Sequence, residues 1–504
     1  MSFIEKIRAE LNSATKLTEN GAVGYVTSGK YLLDCNFKIS SYRNYDESRI
    51  LNDFMKAFFE EPVLAIKWLF FVRDIRGGVG ERRLFRIIMV GLAKQYPQIA
   101  VALAPLIAEY GRYDDLLALY NTPVKKTILG IVTHQLNTDI INMGHGKPIS
   151  LLAKWMPSEN ASSRETIKLA REISLDLKLT AKAYRKFLSK LRAHLDVVER
   201  KMSAKKWEDI TYKAVPSRAN LIYNDAFLRN DENRRRQYLA KVESGEEKIN
   251  AGVLFPHDIV HKYGLHSSWG GFNGGGANAT LEALWKALPD YVQGEDSTIV
   301  VADGSGSMYS AKIGKTKVMP IEVANALSIY FAERCKGEFK NKYITFSCRP
   351  QLVNLNGSSL YNNIKIATTF DEVANTDITA VFKLILNTAI KNKMMQDELP
   401  KTILIISDME FDAGTSYVPL MDAISKKFED AGYILPKIAY WNVASRTCVI
   451  PMQTNENGVV LVSGFSPAIV KQVLSNKNDP YEVLIEALNN ERYDAVEEAL
   501  KNVE

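Results

Sequence analysis

A chain of 504 residues, 46% hydrophobic and 24% charged, is too long for one ordinary core and apolar enough to fold throughout. This excludes a disordered protein and predicts two domains or more. The net charge of +6 is mild, and the start, MSFIEKIRAELNSATK, carries neither an apolar stretch nor a small-residue cleavage site. With no later window approaching roughly 18 uninterrupted apolar residues, a soluble cytoplasmic protein that is neither exported nor held in a membrane is expected. Cys35, Cys335, Cys348 and Cys448 show no C-x-x-C spacing. They are expected to be core thiols in a reducing compartment, not a disulfide framework or a zinc knuckle.

In chain order, residues 1–46 read as an N-terminal segment, and residues 47–266 as an all-helical domain of stacked, HEAT-like hairpins. Apolar residues recur there at spacings of three and four, with breaks at Arg76-Gly77-Gly78-Val79-Gly80 and Tyr110-Gly111-Arg112-Tyr113, although no fixed-period repeat is present. Phe187, Leu191, Leu195 and Val198 form an apolar stripe, with Lys182, Lys186 and Lys190 on another face of the same helix. Residues 181–250 hold 17 Lys/Arg against 10 Asp/Glu, a local excess larger than that of the whole chain. A basic surface of this kind suits an anionic partner, nucleic acid above all. Lys182, Arg185, Lys186, Lys190 and Arg192, with Lys205, Lys206 and the run Arg234-Arg235-Arg236, are candidates to track phosphates. Tyr184, Trp207, Tyr212 and Tyr223 are candidates to stack on bases. The competing reading is solvated helix faces with the aromatics in the core.

Residues 267–295 form a Gly-rich linker and a connecting helix, because Ser267 to Thr280 contains five glycines and few side chains able to join a core. From 296 to 478 the rhythm becomes strand and helix in alternation. Strands are predicted at Thr298 to Ala302, Tyr343 to Phe346, Thr402 to Ile406, Ile438 to Trp441 and Val459 to Val462. Helices are predicted at Val318 to Cys335, Ala380 to Ile390 and Leu420 to Ala431. This is the pattern of a mostly parallel, Rossmann-like sheet covered on both faces. Residues 479–504 are expected to be a helical tail.

The first of these strands runs straight into Asp303-Gly304-Ser305-Gly306-Ser307. One carboxylate and two hydroxyls at alternate positions of a tight, glycine-containing turn can converge on a small hard cation at the sheet edge, where α/β folds bind their ligands. Mg²⁺ accepts such oxygen ligands at roughly 2.0–2.1 Å while keeping several waters; another hard divalent cation would fit as well. The D-x-S-x-S spacing resembles the metal motif (MIDAS) of von Willebrand A domains. That resemblance implies two further ligands, a Thr from a second loop and an Asp at the end of a later strand. Asn375-Thr376-Asp377 and Ile405-Ile406-Ser407-Asp408 stand in the right order, so Thr376 and Asp408 complete the set, with Thr379 as the competing threonine and Glu410 as an acid behind the ligands. In that family the open coordination position takes a carboxylate from a partner protein. With neither a His nor an evident base in this part of the chain, the site is expected to bind and not to catalyse. Gly314-Lys315-Thr316 lacks the earlier glycine of a phosphate-binding loop, and His257, His261 and His266 lack the companions of a zinc site.

Several strings look like signatures of a family of unknown function found in plants, bacteria and viruses. They include Phe71 to Arg82 (FVRDIRGGVGER), Tyr110 to Leu116 (YGRYDDL), Leu152 to Ser158 (LAKWMPS), Val197 to Ser203 (VVERKMS), Ala214 to Ala219 and Ile406 to Asp412. The order of domains is similar to that of the Ro autoantigen family, which joins TROVE-type HEAT-like helices to a von Willebrand A domain and binds small RNAs. What these resemblances imply is a non-enzymatic, intracellular RNA-binding protein. The alternative is a metal-dependent adaptor or assembly scaffold, including a viral structural or replication component.

Overall fold

The structure, a computed structural model, describes residues 15–264, 275–292, 297–310, 312–314, 316–347, 349–370, 377–412, 417–451, 458–501 and 503. Thr376, Cys348, His266 and residues 267–274 of the Gly-rich stretch lie outside them. The chain forms two compact units. One runs up to Trp68, includes Arg76–Val79 and resumes from Lys248 to Asn490; the other takes Leu69–Ile75, Gly80–Glu247 and the chain from Glu491 onward.

In the first unit, β1 (Thr15–Leu17) and β2 (Val23–Tyr25) make a short antiparallel hairpin. β3 (Thr298–Asp303), β4 (Lys342–Phe346), β5 (Leu352–Asn354), β6 (Thr402–Ser407), β7 (Lys437–Asn442) and β8 (Val459–Ser463) form a sheet in the order β5-β4-β3-β6-β7-β8. Its strands are parallel except for β5, which pairs antiparallel with β4 at the edge. Central strands covered on both faces need apolar residues at nearly every position, and β3 and β6 are buried throughout. The Pro320–Arg334 helix lies against β3 with almost every residue buried. The Ile378–Asn392 helix is capped by Asp377, whose side chain accepts from the backbone of Ala380 at 3.2 Å.

The boundaries expected at 46 and 266 differ from this division. Residues 15–68 belong with the sheet because buried polar groups tie them to it. Ser40 Oγ donates to the Asn442 carbonyl at 3.1 Å and lies 2.9 Å from Ser463 Oγ, while the Asn442 amide donates to the Phe37 carbonyl at 2.8 Å. Such bonds span some four hundred residues, beyond the reach of local periodicity.

The second unit is helical, with long helices at Arg82–Gln95, Lys125–Gly144, Arg164–Asp176, Ala181–His194, Ser217–Asn230 and Glu232–Glu243. Two of the signature strings meet in an ionic lock. Asp115, fully buried, takes Arg73 Nη2 at 2.7 Å, and Arg86 pairs with both Asp115 and Asp114. Gly111 is required beside it, since a Cβ there would lie 2.7 Å from the Asp115 carboxylate. In the Ala181–His194 helix the buried stripe is Tyr184, Leu188 and Leu191; Phe187 and Leu195 are only half-buried, so the packed face is rotated from the one expected. Among the described residues no helix is long and apolar enough to cross a membrane, and Cys35, Cys335 and Cys448 are buried free thiols.

Candidate metal centre

Strand order reverses between β3 and β6, and the crevice at their carboxyl ends is where open α/β sheets gather ligands. β3 ends on Asp303 and β6 on Ser407, which places Asp303 and Asp408 side by side, both fully buried. Asp303 Oδ1 accepts the Ser305 backbone N–H at 2.9 Å, bending the chain, and Oδ2 accepts from Ser407 Oγ. Ser305 Oγ and Ser307 Oγ stand 3.0 Å apart, and the Ser307 hydroxyl also hydrogen-bonds the Asp408 carboxylate. Asp303, Ser305, Ser307 and Asp408 therefore converge. Asp408 Oδ1 accepts from the Glu410 N–H at 3.3 Å, whereas its Oδ2 is buried without a hydrogen-bond donor.

Burial raises the Asp303 carboxyl, and burial followed by the neighbouring Asp303 charge pushes Asp408 up to about 7. The two desolvated carboxylates repel, and the Arg446 guanidinium, 3.5 Å from Asp408, offsets less of this than burial and the Asp303 charge impose. The residues fit a hard divalent ion, which would be held by the two carboxylates and two hydroxyls and would neutralise the pair. Among the described residues no group of three or more His, Cys, Asp and Glu side chains gathers as a metal cluster. In the set at the β3–β6 crevice, serine hydroxyls supply two of the four side chains.

Thr376 lies outside the described residues. The competing Thr379 is half-buried in the first turn of the Ile378–Asn392 helix. Glu410 is a structural clamp. Its carboxylate accepts from Glu19 N, Ser445 Oγ, Arg446 N, Thr447 N and Thr447 Oγ1 at 2.7–3.2 Å, fixing the loop after β7 and the β1–β2 hairpin. This loop brings in Arg446, a residue the sequence did not single out. Its guanidinium lies 3.5 Å from Asp408 Oδ2 and 2.5 Å from Glu19. Only pairing across strands reveals it; a local signal existed for Ser407 alone, through its place beside Asp408 at a strand end. Met409 occupies the left-handed region at φ 61°, a strained turn for a side chain this large, immediately after Asp408.

The candidate nucleic-acid residues separate into two groups. Lys182, Arg185, Lys186 and Lys190 are exposed on the Ala181–His194 helix, as are Lys205 and Lys206 nearby in sequence. Arg192 spends its guanidinium on the Ala153 and Met156 carbonyls and on Ser158 Oγ at 2.7–2.8 Å. Arg234 binds the carbonyls of Trp207 and Ile210 and pairs with Asp231. Arg235 is fully buried among Tyr212, Phe227 and Tyr238 and donates to Asn220 at 3.1 Å; burial lowers it to about 10. It cannot meet a phosphate. Arg236 is exposed and pairs with Glu232. Tyr184 and Tyr212 are core residues whose hydroxyls bond Pro157 O and Asp231, so neither offers a face to a base, while Trp207 and Tyr223 are half-buried. His261 pairs with the buried Glu322 at 2.9 Å instead of joining a metal set.

Residues 297–503 match a family described as a domain of unknown function (DUF7788), and residues 127–295 match a second domain of unknown function (DUF2828). The chain is also similar to uncharacterized protein L728 of Acanthamoeba polyphaga mimivirus, 29% identical over 516 residues, covering 94% of this chain and 86% of the relative.

Proposed function

We propose that the sheet-bearing unit is a von Willebrand A-type domain whose divalent cation, Mg²⁺ or a similar hard ion, is held by Asp303, Ser305, Ser307 and Asp408 with Thr376 as the fifth ligand, and that it captures an acidic group of a partner protein. The observation that carries this reading is the convergence of two buried carboxylates and two hydroxyls at the switch point of a parallel sheet, with one Asp408 oxygen met only by the Arg446 guanidinium 3.5 Å away. The ion would supply a fixed positive charge with an open coordination position. The chain's own groups serve to hold and orient it. Ser407 fixes Asp303, and Arg446, anchored through Glu410, balances charge beside Asp408. Nothing in the set favours water activation over ligand capture, so the reading is binding and not catalysis, inside the cell. Mn²⁺ titration followed by electron paramagnetic resonance tests it. One site lost on Asp408→Ala supports the reading, and unchanged Mn²⁺ uptake by that variant refutes it.

A second reading, RNA binding by a HEAT-like helical unit in a Ro-like domain order, is favoured by the exposed row Lys182, Arg185, Lys186 and Lys190. It stands behind the first because Arg192, Arg234 and Arg235 are committed to holding the fold. Binding of labelled single-stranded RNA that does not weaken with added salt, or no binding at all at low ionic strength, would overturn it.

A further inference from the structure

Two signature strings not absorbed by the ionic lock, Leu152 to Ser158 and Val197 to Ser203, meet at a cleft of about 510 Å³ beside the Ala181–His194 helix. Two carboxylates line it. The Glu159 side chain is 8% exposed; its Oε2 lies 3.9 Å from Arg185, and its Oε1 is buried with no hydrogen-bond partner. Glu199, whose side chain is 39% exposed, places Oε1 3.4 Å from Lys154 Nζ and has a buried Oε2 with no hydrogen-bond partner. A buried acceptor left unsatisfied is destabilising. Both residues line the one cleft, and carboxylates on two of its walls suit a ligand that brings N–H donors. The same walls carry Arg185 and Arg200, both exposed and able to hold an anion. Leu195 and Val197, both half-buried, supply apolar surface for a flat ring.

We propose that this cleft is a nucleotide subsite: Glu159 and Glu199 accept from the amino-bearing edge of adenine, cytosine or guanine, and Arg185 and Arg200 hold its phosphate. Its volume falls within the range of small-ligand pockets. A free amino acid would also pair with both signs of charge. A nucleotide is favoured because Lys182, Lys186 and Lys190 continue the positive surface along the same helix, where the neighbouring phosphates of a strand would run. The proposal deepens the RNA reading and rests on it where the source is a strand; a free mononucleotide carries the same chemistry.

The test uses the full chain at low salt, with fluorescence anisotropy of labelled 12-mers of A, C and U, and calorimetry with AMP and UMP. Uracil lacks the exocyclic amine. Oligo(A) and oligo(C) should bind about tenfold more tightly than oligo(U). Glu159→Ala and Glu199→Ala, each checked for an unchanged thermal melt, remove the acceptor and should erase that preference. The wild-type preference is itself a readout if either variant folds poorly. Equal binding of all three oligomers, unmoved by both substitutions, overturns the subsite and leaves RNA binding standing. AMP binding that needs Glu159, without RNA binding, supports the subsite and overturns the RNA reading. Binding of neither overturns both, and displacement by an arginine-containing dipeptide but not by AMP overturns the subsite in favour of a peptide site.

Discussion

In the sheet unit, residues chosen for their spacing come together: Asp303, Ser305 and Ser307 occupy one turn, and Asp408, a hundred residues on, stands next to Asp303 because β3 pairs with β6. In the helical unit, residues chosen for their charge come apart. Lys182, Arg185, Lys186 and Lys190 face solvent, whereas Arg192 and Arg234 hold backbone carbonyls and Arg235 lies in an aromatic core. A turn at a strand end fixes where its side chains point through the backbone alone. A count of basic residues in a helix says nothing about phase, and three consecutive arginines there must point about 100° apart. Spacing on a rigid frame is therefore the better guide to a site than local net charge.

The largest effect expected from this contrast lies at Arg235. Arg235→Ala removes a buried side chain and leaves Asn220 Oδ1 without its donor, and should lower unfolding free energy by about 3 kcal/mol in a denaturant titration. Loss of RNA affinity with stability unchanged would return Arg235 to the interface. Next is Glu410→Ala, which strips the acceptor shared by Glu19, Ser445, Arg446 and Thr447. A loss of about 2 kcal/mol, with Mn²⁺ affinity reduced but not abolished, separates a clamp from a ligand.

Lys182→Ala, Lys186→Ala and Lys190→Ala together should reduce the slope of log affinity against log salt for single-stranded RNA by about 2, without change in the melt. A slope that does not move would remove the helical face from the RNA reading. The smallest effect is at His261. Glu322 holds its proton beyond the ordinary value of 6.5, so the pair contributes its full stability below about pH 6.5 and loses it as pH rises through the higher folded-state value. Melting curves of wild type and His261→Gln should therefore differ most at acid pH and converge at alkaline pH.

Five of the six strands in the large sheet were legible because they are buried, nearly uninterrupted apolar runs; β5 was not, since LVN is too short and alternates in burial. The turn from Asp303 to Ser307, which brings Ser305 and Ser307 together at the end of β3, was legible from its glycines and its place after a strand. Arg446 was not, because only the pairing of β6 with β7 brings it beside Asp408, and neither was the β1–β2 hairpin, which reaches Glu410 and Arg446 across some four hundred residues. The burial of Arg235 could have been read from its place three and four residues before Tyr238 and Leu239, on the same helix face. The packed stripe of the Ala181–His194 helix was open to the same reasoning, since Tyr184, Leu188 and Leu191 recur at i, i+4 and i+7. The cleft between Glu159 and Glu199 depends on unpaired oxygens, which no residue spacing encodes.

The central claim is that the pair Asp303 and Asp408 is built around a divalent cation. The most direct measurement is the thermal melt of the full chain with and without Mg²⁺, at pH 8 and at pH 6, for wild type and Asp303→Ala. Binding at about a hundredfold excess over the dissociation constant adds about 2.7 kcal/mol. The account predicts a clear Mg²⁺-dependent rise in wild type at pH 8, a smaller one at pH 6 where a proton competes with the ion for Asp408, pushed up to about 7, and none in the variant. An equal rise in wild type and Asp303→Ala, or no rise in wild type at saturating Mg²⁺, would contradict it.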